Sequence, residues 1–410
     1  MSIPASARFL DRTTPPNIAT LTILAGVAAM VMNMFLPSLA EMAEHFGVSY
    51  GIMQLSVPLY LGVSAALQVI IGPISDKLGR RPVILGGIVL FMLFTLGCIY
   101  APNIWIFLFC RMGQASVAVC MVLSRAVIRD IHDDNDAASM IGWVTMGMAL
   151  VPFVSPAIGG FLDENFGWQS VFWAFLIVGM ATWALTWFDL GETSQPSGMT
   201  LSQQFRRYPE LLASPRFWGY CLSAAFCSGA FFAYLGGAPF VGSTIFGMSP
   251  GVLGIAFGAP AVGYALGNGM TGAFAVRFGI NRMILWGSII ALAGTGVSLA
   301  LFFAGAGTPW TFFGLMTFVG LGNGLVIPNA TAGMLSVRPH LAGTASGLGG
   351  AIMIGGGAVL AAIAGALLKP DTGAFPLLWI QFLTCFAAVI AILAVYRRER
   401  RLGLQTPEPG

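Results

Sequence analysis

The chain has 410 residues, of which 57% are hydrophobic and 9% charged. A soluble domain carries about 25% charged residues, so the composition excludes a soluble enzyme. A formal charge of +3 is no signal for nucleic-acid binding.

A bilayer-crossing helix needs about 20 mostly apolar residues. Lipid offers no partner to an unpaired backbone group, so such segments read as helices. Twelve follow in chain order: 18–40, 50–72, 82–100, 104–128, 138–162, 168–188, 217–240, 251–275, 282–304, 309–331, 342–367 and 374–396. The first 16 residues lack a short apolar core with a cleavage site, so no cleaved signal peptide is expected. With both termini inside, 17 of the 19 Lys and Arg fall on the cytoplasmic side; Lys369 lies outside and Arg111 within a span. Basic residues accumulate on that side, and an odd error in helix count would scramble the pattern.

The one long connection, 189–216, divides the chain into an N-terminal six-helix bundle (1–188) and a C-terminal one (217–410) with a short basic tail. Its second part carries Leu201, Phe205, Arg206, Arg207, Leu211 and Leu212, the makings of a short amphipathic helix on the inner leaflet. The other loops are a few residues long, which speaks against a receptor or a membrane-anchored enzyme. All six cysteines lie in spans without metal-ligand spacing, and His45, His132 and His340 form no cluster. No metal, cofactor, nucleotide or nucleic acid is expected, and no ATP site is visible. The glycine-rich run 343–357 follows no strand and precedes no Lys, so it is not a phosphate loop.

The densest charge lies between spans 2 and 3: Gly72-Pro-Ile-Ser-Asp76-Lys77-Leu-Gly79-Arg80-Arg81-Pro82. Gly272, Arg277 and Gly279 repeat the Gly, basic and Gly positions 200 residues later, which implies two homologous halves. In span 4, Arg111, Gln114, Ala118, Arg125 and Arg129 fall on one narrow stripe at about 100° per residue. Such a stripe faces the bundle interior or a water-filled cavity. Arg111 is then either a cavity charge or a structural arginine bonded to helix carbonyls. Span 5 holds Pro152, Pro156, Gly159 and Gly160; span 11 echoes it, with Gly347 and Gly365 matching Gly142 and Gly160. Proline and glycine bend a membrane helix and let backbones approach. No acid lies in the middle of a span. Glu41 and Glu44 end span 1, Asp76 and Asp130 sit at the inner face, and Asp163, Glu164 and Asp371 are in outer loops.

The 72–82 turn resembles the loop between helices 2 and 3 of the major facilitator superfamily. Arg111-Met-Gly-Gln114 resembles its helix 4, and the Pro/Gly run of span 5 resembles the signature of its exporters, with Ser155-Pro156 in place of Gly-Pro. Gln54-Leu-Ser, Tyr60-Leu-Gly, Gln68, Arg125-Ala-Val-Ile-Arg129-Asp130 and Gly167-Trp168 are similar to the Bcr/CflA group of drug-resistance transporters. The resemblance implies an all-α polytopic fold, twelve transmembrane helices in two pseudo-symmetric six-helix bundles. It also implies proton-driven efflux of amphipathic compounds across the inner membrane of a bacterium. In it, Gly72, Asp76, Gly79, Arg80, Arg81 and Asp130 form a conformational latch on the cytoplasmic side. Two positions depart from the group: Gln169 replaces an Arg, and Asn33-Met-Phe-Leu-Pro replaces Asp-Met-Tyr-Leu-Pro in span 1. Asn33 cannot titrate, so either the proton carrier is a rim carboxylate, with Glu41 and Asp130 as candidates, or coupling works otherwise.

The reading is a secondary transporter, expected to act as a monomer, with protons as the coupling ion and a small-molecule substrate bound near the midplane between the halves. Asn33, Tyr60, Gln68, Arg111, Gln114, Phe231, Tyr234 and Asn323 are the polar or aromatic span positions assigned to its cavity. An importer or facilitator of a small organic anion or neutral solute is the alternative, since Arg111 would suit such ligands. A non-transporting membrane sensor is the alternative of another class, and the intact 72–82 turn counts against it. A cysteine placed at Ser197 in an otherwise cysteine-free chain should resist an impermeant thiol reagent added from outside. Its ready labelling would overturn the topology.

Overall fold

The computed structural model describes residues 8–131, 140, 144, 147–148, 151–194, 208–338 and 341–403. His132, His340, Gly142, most of the first half of span 5 and residues 195–207 of the connection lie outside the described residues. No strand occurs among those described. Eleven of their helices are long and apolar enough to cross a membrane. Span 5 is represented by its last part, Val151–Phe166.

In the first half the helices are α1 (Ile18–Asn33), α2 (Leu39–His45), α3 (Tyr50–Gln54), α4 (Ser56–Leu78), α5 (Arg80–Ile99), α6 (Ile104–Gly113), α7 (Ala118–Ile131), α8 (Val151–Phe166) and α9 (Gln169–Asp189). A short helix α10 (Tyr208–Leu212) precedes α11 (Pro215–Phe240), α12 (Pro250–Ala256), α13 (Ala259–Phe278), α14 (Ile280–Phe303), α15 (Met316–Val337), α16 (Ala342–Leu367) and α17 (Phe375–Leu402). Several spans are built from two pieces. Pro37 lies in a 3-10 turn, Leu36–Ser38, between α1 and α2. A second 3-10 turn, Gln114–Val117, joins α6 to α7. A 3-10 turn winds about 120° per residue rather than 100°, so it rotates the lower part of span 4 relative to an ideal helix. The sequence stripe is therefore bent: Arg111, Gln114 and Ala118 are buried, whereas Arg129 is exposed.

The helices collect into two compact units, residues 1–201 with 239–258, and residues 202–238 with 259–410. In the first, α1 packs on α7 and α8, α4 on α7, and α9 on α5. The segment 239–258 joins this unit because α12 lies along α8. In the second, α15 packs against α13, α14 and α16, and α17 against α14.

Small residues carry much of this packing. Helices in lipid gain little from the hydrophobic effect and associate through close van der Waals contact. On α13 and α15 the approach is backbone to backbone. A Cβ on Gly263 would collide with the Thr317 carbonyl, and one on Gly320 with the Pro260 carbonyl. Gly320→Val should therefore abolish the monodisperse species on size-exclusion chromatography. Gly269→Ala, where a Cβ meets nothing within 4 Å, should leave it intact. Equal behaviour of the two variants would refute this packing.

Candidate functional site

The turn between α4 and α5 is organised around Gly79. Its φ of 95° lies where L side chains are strained. A Cβ there would also run into the Glu192 carboxylate. The repeat in the second half keeps the geometry: Gly279, with φ 78°, stands immediately before α14 as Gly79 stands before α5. Glu192 caps the α5 N-terminus, accepting from the backbone N–H of Arg80 at 2.8 Å and of Arg81 at 3.2 Å. A carboxylate is favoured at that end of a helix by the exposed N–H groups and the dipole. No motif in the sequence pointed to Glu192, because it lies over a hundred residues downstream of the turn.

Arg80 is the centre of the turn. Its guanidinium pairs with Asp76 at 2.6 Å and with Asp130, at the end of α7, at 3.0 Å. It also donates to the Ser75 hydroxyl, which in turn donates to the Gly72 carbonyl at 2.7 Å. Thr193 donates to Asp130 at 3.3 Å. Arg81 lies over the Trp187 ring at 4.7 Å and donates to the Trp187 carbonyl at 3.0 Å. Gly72, Asp76, Gly79, Arg80, Arg81 and Asp130 are thus one contiguous cluster joining α4, α5 and α7, with Arg81 reaching α9.

The second unit handles the matching end differently. Glu399, on α17, accepts from Arg216 at 2.8 Å, from the Tyr220 hydroxyl at 2.9 Å and from Asn281 at 2.6 Å. Asn281 sits two residues past Gly279, as Arg81 does past Gly79. The acid comes from the last helix rather than from the turn, which is why only the Gly, basic and Gly positions repeat in sequence.

Deep in the first unit, Arg111 is fully buried. It donates to Gln114 Oε1 at 2.7 Å and to the Val31 carbonyl at 2.8 Å. The Phe35 ring lies 4.0 Å and the Tyr60 ring 4.4 Å from its guanidinium carbon. Gln114 passes the chain on to Thr95 at 2.8 Å, and Thr95 donates to the Phe91 carbonyl at 2.7 Å. One arginine therefore ties spans 1, 2, 3 and 4 together. Asn33 is buried nearby on α1 and donates to the Ala29 carbonyl at 2.7 Å. Gln68 is half-buried on α4, and its Nε2 has no partner. In the second unit, Phe231 and Tyr234 stack with ring centroids 6.3 Å apart, and Tyr234 stacks on Phe312 at 6.4 Å. Asn323 is buried on α15 with an unpartnered Oδ1. The structure brings Asn33, Tyr60, Arg111 and Gln114 together in one unit, and Phe231 and Tyr234 together in the other.

The span-5 signature has a defined packing role. A Cβ on Gly159 would strike the Met34 carbonyl, and one on Gly160 the Pro250 carbonyl. Gly254 of α12 lies reciprocally against the Pro156 carbonyl. Pro152 is half-buried one turn before Pro156. These glycines and prolines seat α8 between the 3-10 turn after α1 and the start of α12. At the same end Glu41 is exposed and lines a cavity of about 510 Å³ with Pro37, Glu44, Ser243, Thr244 and Pro250. Among the described residues no cluster of His, Cys, Asp or Glu has the make-up of a metal site.

The family model for the Major Facilitator Superfamily matches residues 21–362 and again 238–410. The chain is 29% identical over 384 residues to the bicyclomycin resistance protein homolog of Haemophilus influenzae, covering 92% of this chain and 95% of that one. It is 29% identical over 385 residues to a chloramphenicol resistance protein of Pseudomonas aeruginosa, covering 92% and 90%. Multidrug resistance protein D of Escherichia coli is 28% identical over 361 residues, covering 87% and 90%. Among solved structures, a bacterial homolog of the human lysosomal transporter Spinster, inward-facing and occupied, superposes with a TM-score of 0.71 at 18% identity over 96% of this chain and 98% of that one. That likeness concerns the fold.

The Arg111 node makes a stability prediction. A cation stacked on desolvated rings gains about 2 kcal/mol, and a hydrogen bond to a charged group contributes about 1.5–3 kcal/mol. Arg111→Ala should lower the melting temperature of the purified, substrate-free protein markedly, with Arg111→Lys falling between. An unchanged melting temperature in Arg111→Ala would show that the node does not hold the spans.

Proposed function

Because the chain belongs to the Major Facilitator Superfamily, we propose that it exports small amphipathic compounds, antibiotics among them, by proton-coupled antiport with alternating access. The protein is a multi-pass membrane transporter and not an enzyme. The observation that carries the export reading is the near end-to-end match to resistance proteins, about nine-tenths of each chain. The bacterial source of these relatives supports an inner-membrane location, with both termini and the 72–82 turn in the cytoplasm.

The proposed cycle has the two six-helix halves, 1–188 and 217–410, alternate around a midplane substrate site. Asn33, Tyr60, Gln68, Arg111 and Gln114 contribute to it from one half, and Phe231, Tyr234 and Asn323 from the other. Arg111 acts there chiefly by holding the wall: it donates to Gln114 and to the Val31 carbonyl and lies against the Phe35 and Tyr60 rings, while its Nε stays buried and unpartnered. The match to resistance proteins favours amphipathic ligands over the organic-anion reading. The cluster around Arg80 acts as the latch. Its ion pairs form in one conformation and are broken or rearranged in the other, so they bias a two-state equilibrium. We take the transporter to work as a monomer.

Expression in an efflux-deficient bacterial host should lower the steady-state accumulation of chloramphenicol. Asp76→Asn should remove most of that effect while the variant is made at wild-type levels and binds chloramphenicol as before. Equal accumulation with and without the wild-type protein would remove the export reading. Full activity of a well-expressed Asp76→Asn would remove the latch.

A further inference from the structure

Among the described acids of the first unit, Asp163 alone is buried with neither an ion pair nor a hydrogen bond to its carboxyl oxygens. Asp76 and Asp130 are committed to Arg80. Asp189 accepts from the backbone N–H of Leu10 at 2.6 Å and of Asn17 at 3.0 Å. Glu192 caps α5. Asp163, in the last turn of α8, is only 2% exposed, and neither of its carboxyl oxygens accepts a hydrogen bond. Its neighbours are the Glu41 carboxyl and the Ser38 hydroxyl. The Ser38 Oγ is itself fully buried and unpartnered.

Two facing carboxylates hold only acceptors, so they repel each other unless a proton stands between them. No cation relieves the site. Segments 34–50, 151–172 and 239–258, which build this end of the unit, contain no Lys or Arg. The other titratable groups on these elements are Glu44, His45 and Tyr50 beside Glu41, and Glu164 beside Asp163; Glu44 lines the same cavity as Glu41 and Glu164 is exposed. The arrangement is graded. Glu41 is exposed to the roughly 510 Å³ cavity, and Asp163 lies behind it out of water.

We propose that Asp163 is the proton-binding residue of this transporter, with Glu41 relaying the proton between the cavity and Asp163. The step is a proton transfer alone. A proton taken up on Glu41 passes to an Asp163 oxygen, whose O–H then donates back to the Glu41 carboxylate or to the Ser38 hydroxyl, and it leaves by the same two groups or by a path opened in the other conformation. The site lies where the end of span 1 meets span 5, beside the seat of α12 on α8. Glu41 and Ser38 belong to the end of span 1, Asp163 to span 5, and the glycine contacts Gly159–Met34 and Gly160–Pro250 lie one turn away. A protonated pair holds span 1 against span 5, and a doubly ionised pair loosens that contact and with it the seat of α12. This would supply the titrating group that Asn33 cannot be. The inference rests on the reading that transport is proton-driven.

The test has two arms. The first needs no substrate. Infrared spectra of the purified protein in lipid, titrated through neutral pH, should show a protonated-carboxyl C=O stretch. Glu164→Gln should retain it and Asp163→Asn should lose it. A wild-type band persisting in Asp163→Asn would place the proton elsewhere and overturn the assignment. The second arm uses chloramphenicol as the probe in proteoliposomes carrying an entrapped pH dye. Asp163→Asn should bind chloramphenicol and equilibrate it down its gradient, yet lose accumulation driven by an imposed pH gradient. Glu41→Gln, altered at an exposed position, should keep the infrared band and slow dye-reported proton release. Gradient-driven accumulation at the wild-type level in Asp163→Asn, or an unchanged release rate in Glu41→Gln, would overturn the relay. A wild-type protein that moves no chloramphenicol would instead overturn the efflux reading, while the infrared band would still decide where the proton sits.

Discussion

Hydrocarbon supplies no hydrogen-bond partner, and that constraint decides where nearly every polar atom in this chain stands. A polar group in a span finds its partners only in the protein itself, and those left without one, such as Gln68 Nε2 and Asn323 Oδ1, stand out. Arg111 meets the demand with Gln114, a Val31 carbonyl and two ring faces. The acids retreat to the helix ends: Asp76, Asp130 and Glu399 pair there with Arg80 or Arg216, Glu192 caps a helix, and Asp163 stays buried with no ionic partner. The same constraint explains the glycines. With little hydrophobic driving force between helices, contact must be close to be worth anything, so Gly263 and Gly320 bring backbones together where Leu would hold them apart.

Against that background the two ends of the first unit differ in kind. The end with the 72–82 turn is rich in charge of both signs, with Arg80 shared between two carboxylates. The opposite end has acids and, on segments 34–50, 151–172 and 239–258, no Lys or Arg, and it is held by backbone packing of α8 against the turn after α1 and against α12. An ion-paired end responds little to pH near neutrality, whereas two carboxyls without a counter-ion respond strongly. The difference gives a physical reason for one end to serve as a mechanical latch and the other to sense protons. It also gives the span-5 glycines a purpose beyond bending: they make the pH-sensitive contact possible by letting Asp163 approach span 1.

Most of the fold was legible in the sequence, because spans of about 20 apolar residues leave few alternatives and the basic residues mark one side. The charged cluster around Arg80 was legible because its residues are nearly contiguous, from Gly72 to Arg81; its reading as a latch, and the place of Asp130 in it, came from the resemblance. Glu192, Glu399 and Asp163 were not. Each acts on residues more than a hundred positions away, and no local pattern encodes such a contact. The stripe on span 4 was right in substance at Arg111 and Gln114, but its regularity failed at the 3-10 turn 114–117, which no ideal helical period anticipates. The assignment of 239–258 to the first unit was equally hidden, since it depends on two glycines, Gly160 and Gly254, that look like any others in a chain holding 53.

The central claim is that an inward proton gradient drives an outward flux of drug through this protein. The most direct measurement is chloramphenicol uptake into inside-out membrane vesicles, acidified inside, with the membrane potential clamped to zero. The account predicts accumulation above the outside concentration that collapses when a proton–potassium exchanger dissipates the pH gradient. Equilibration to the outside concentration, the same with and without the gradient, would contradict it.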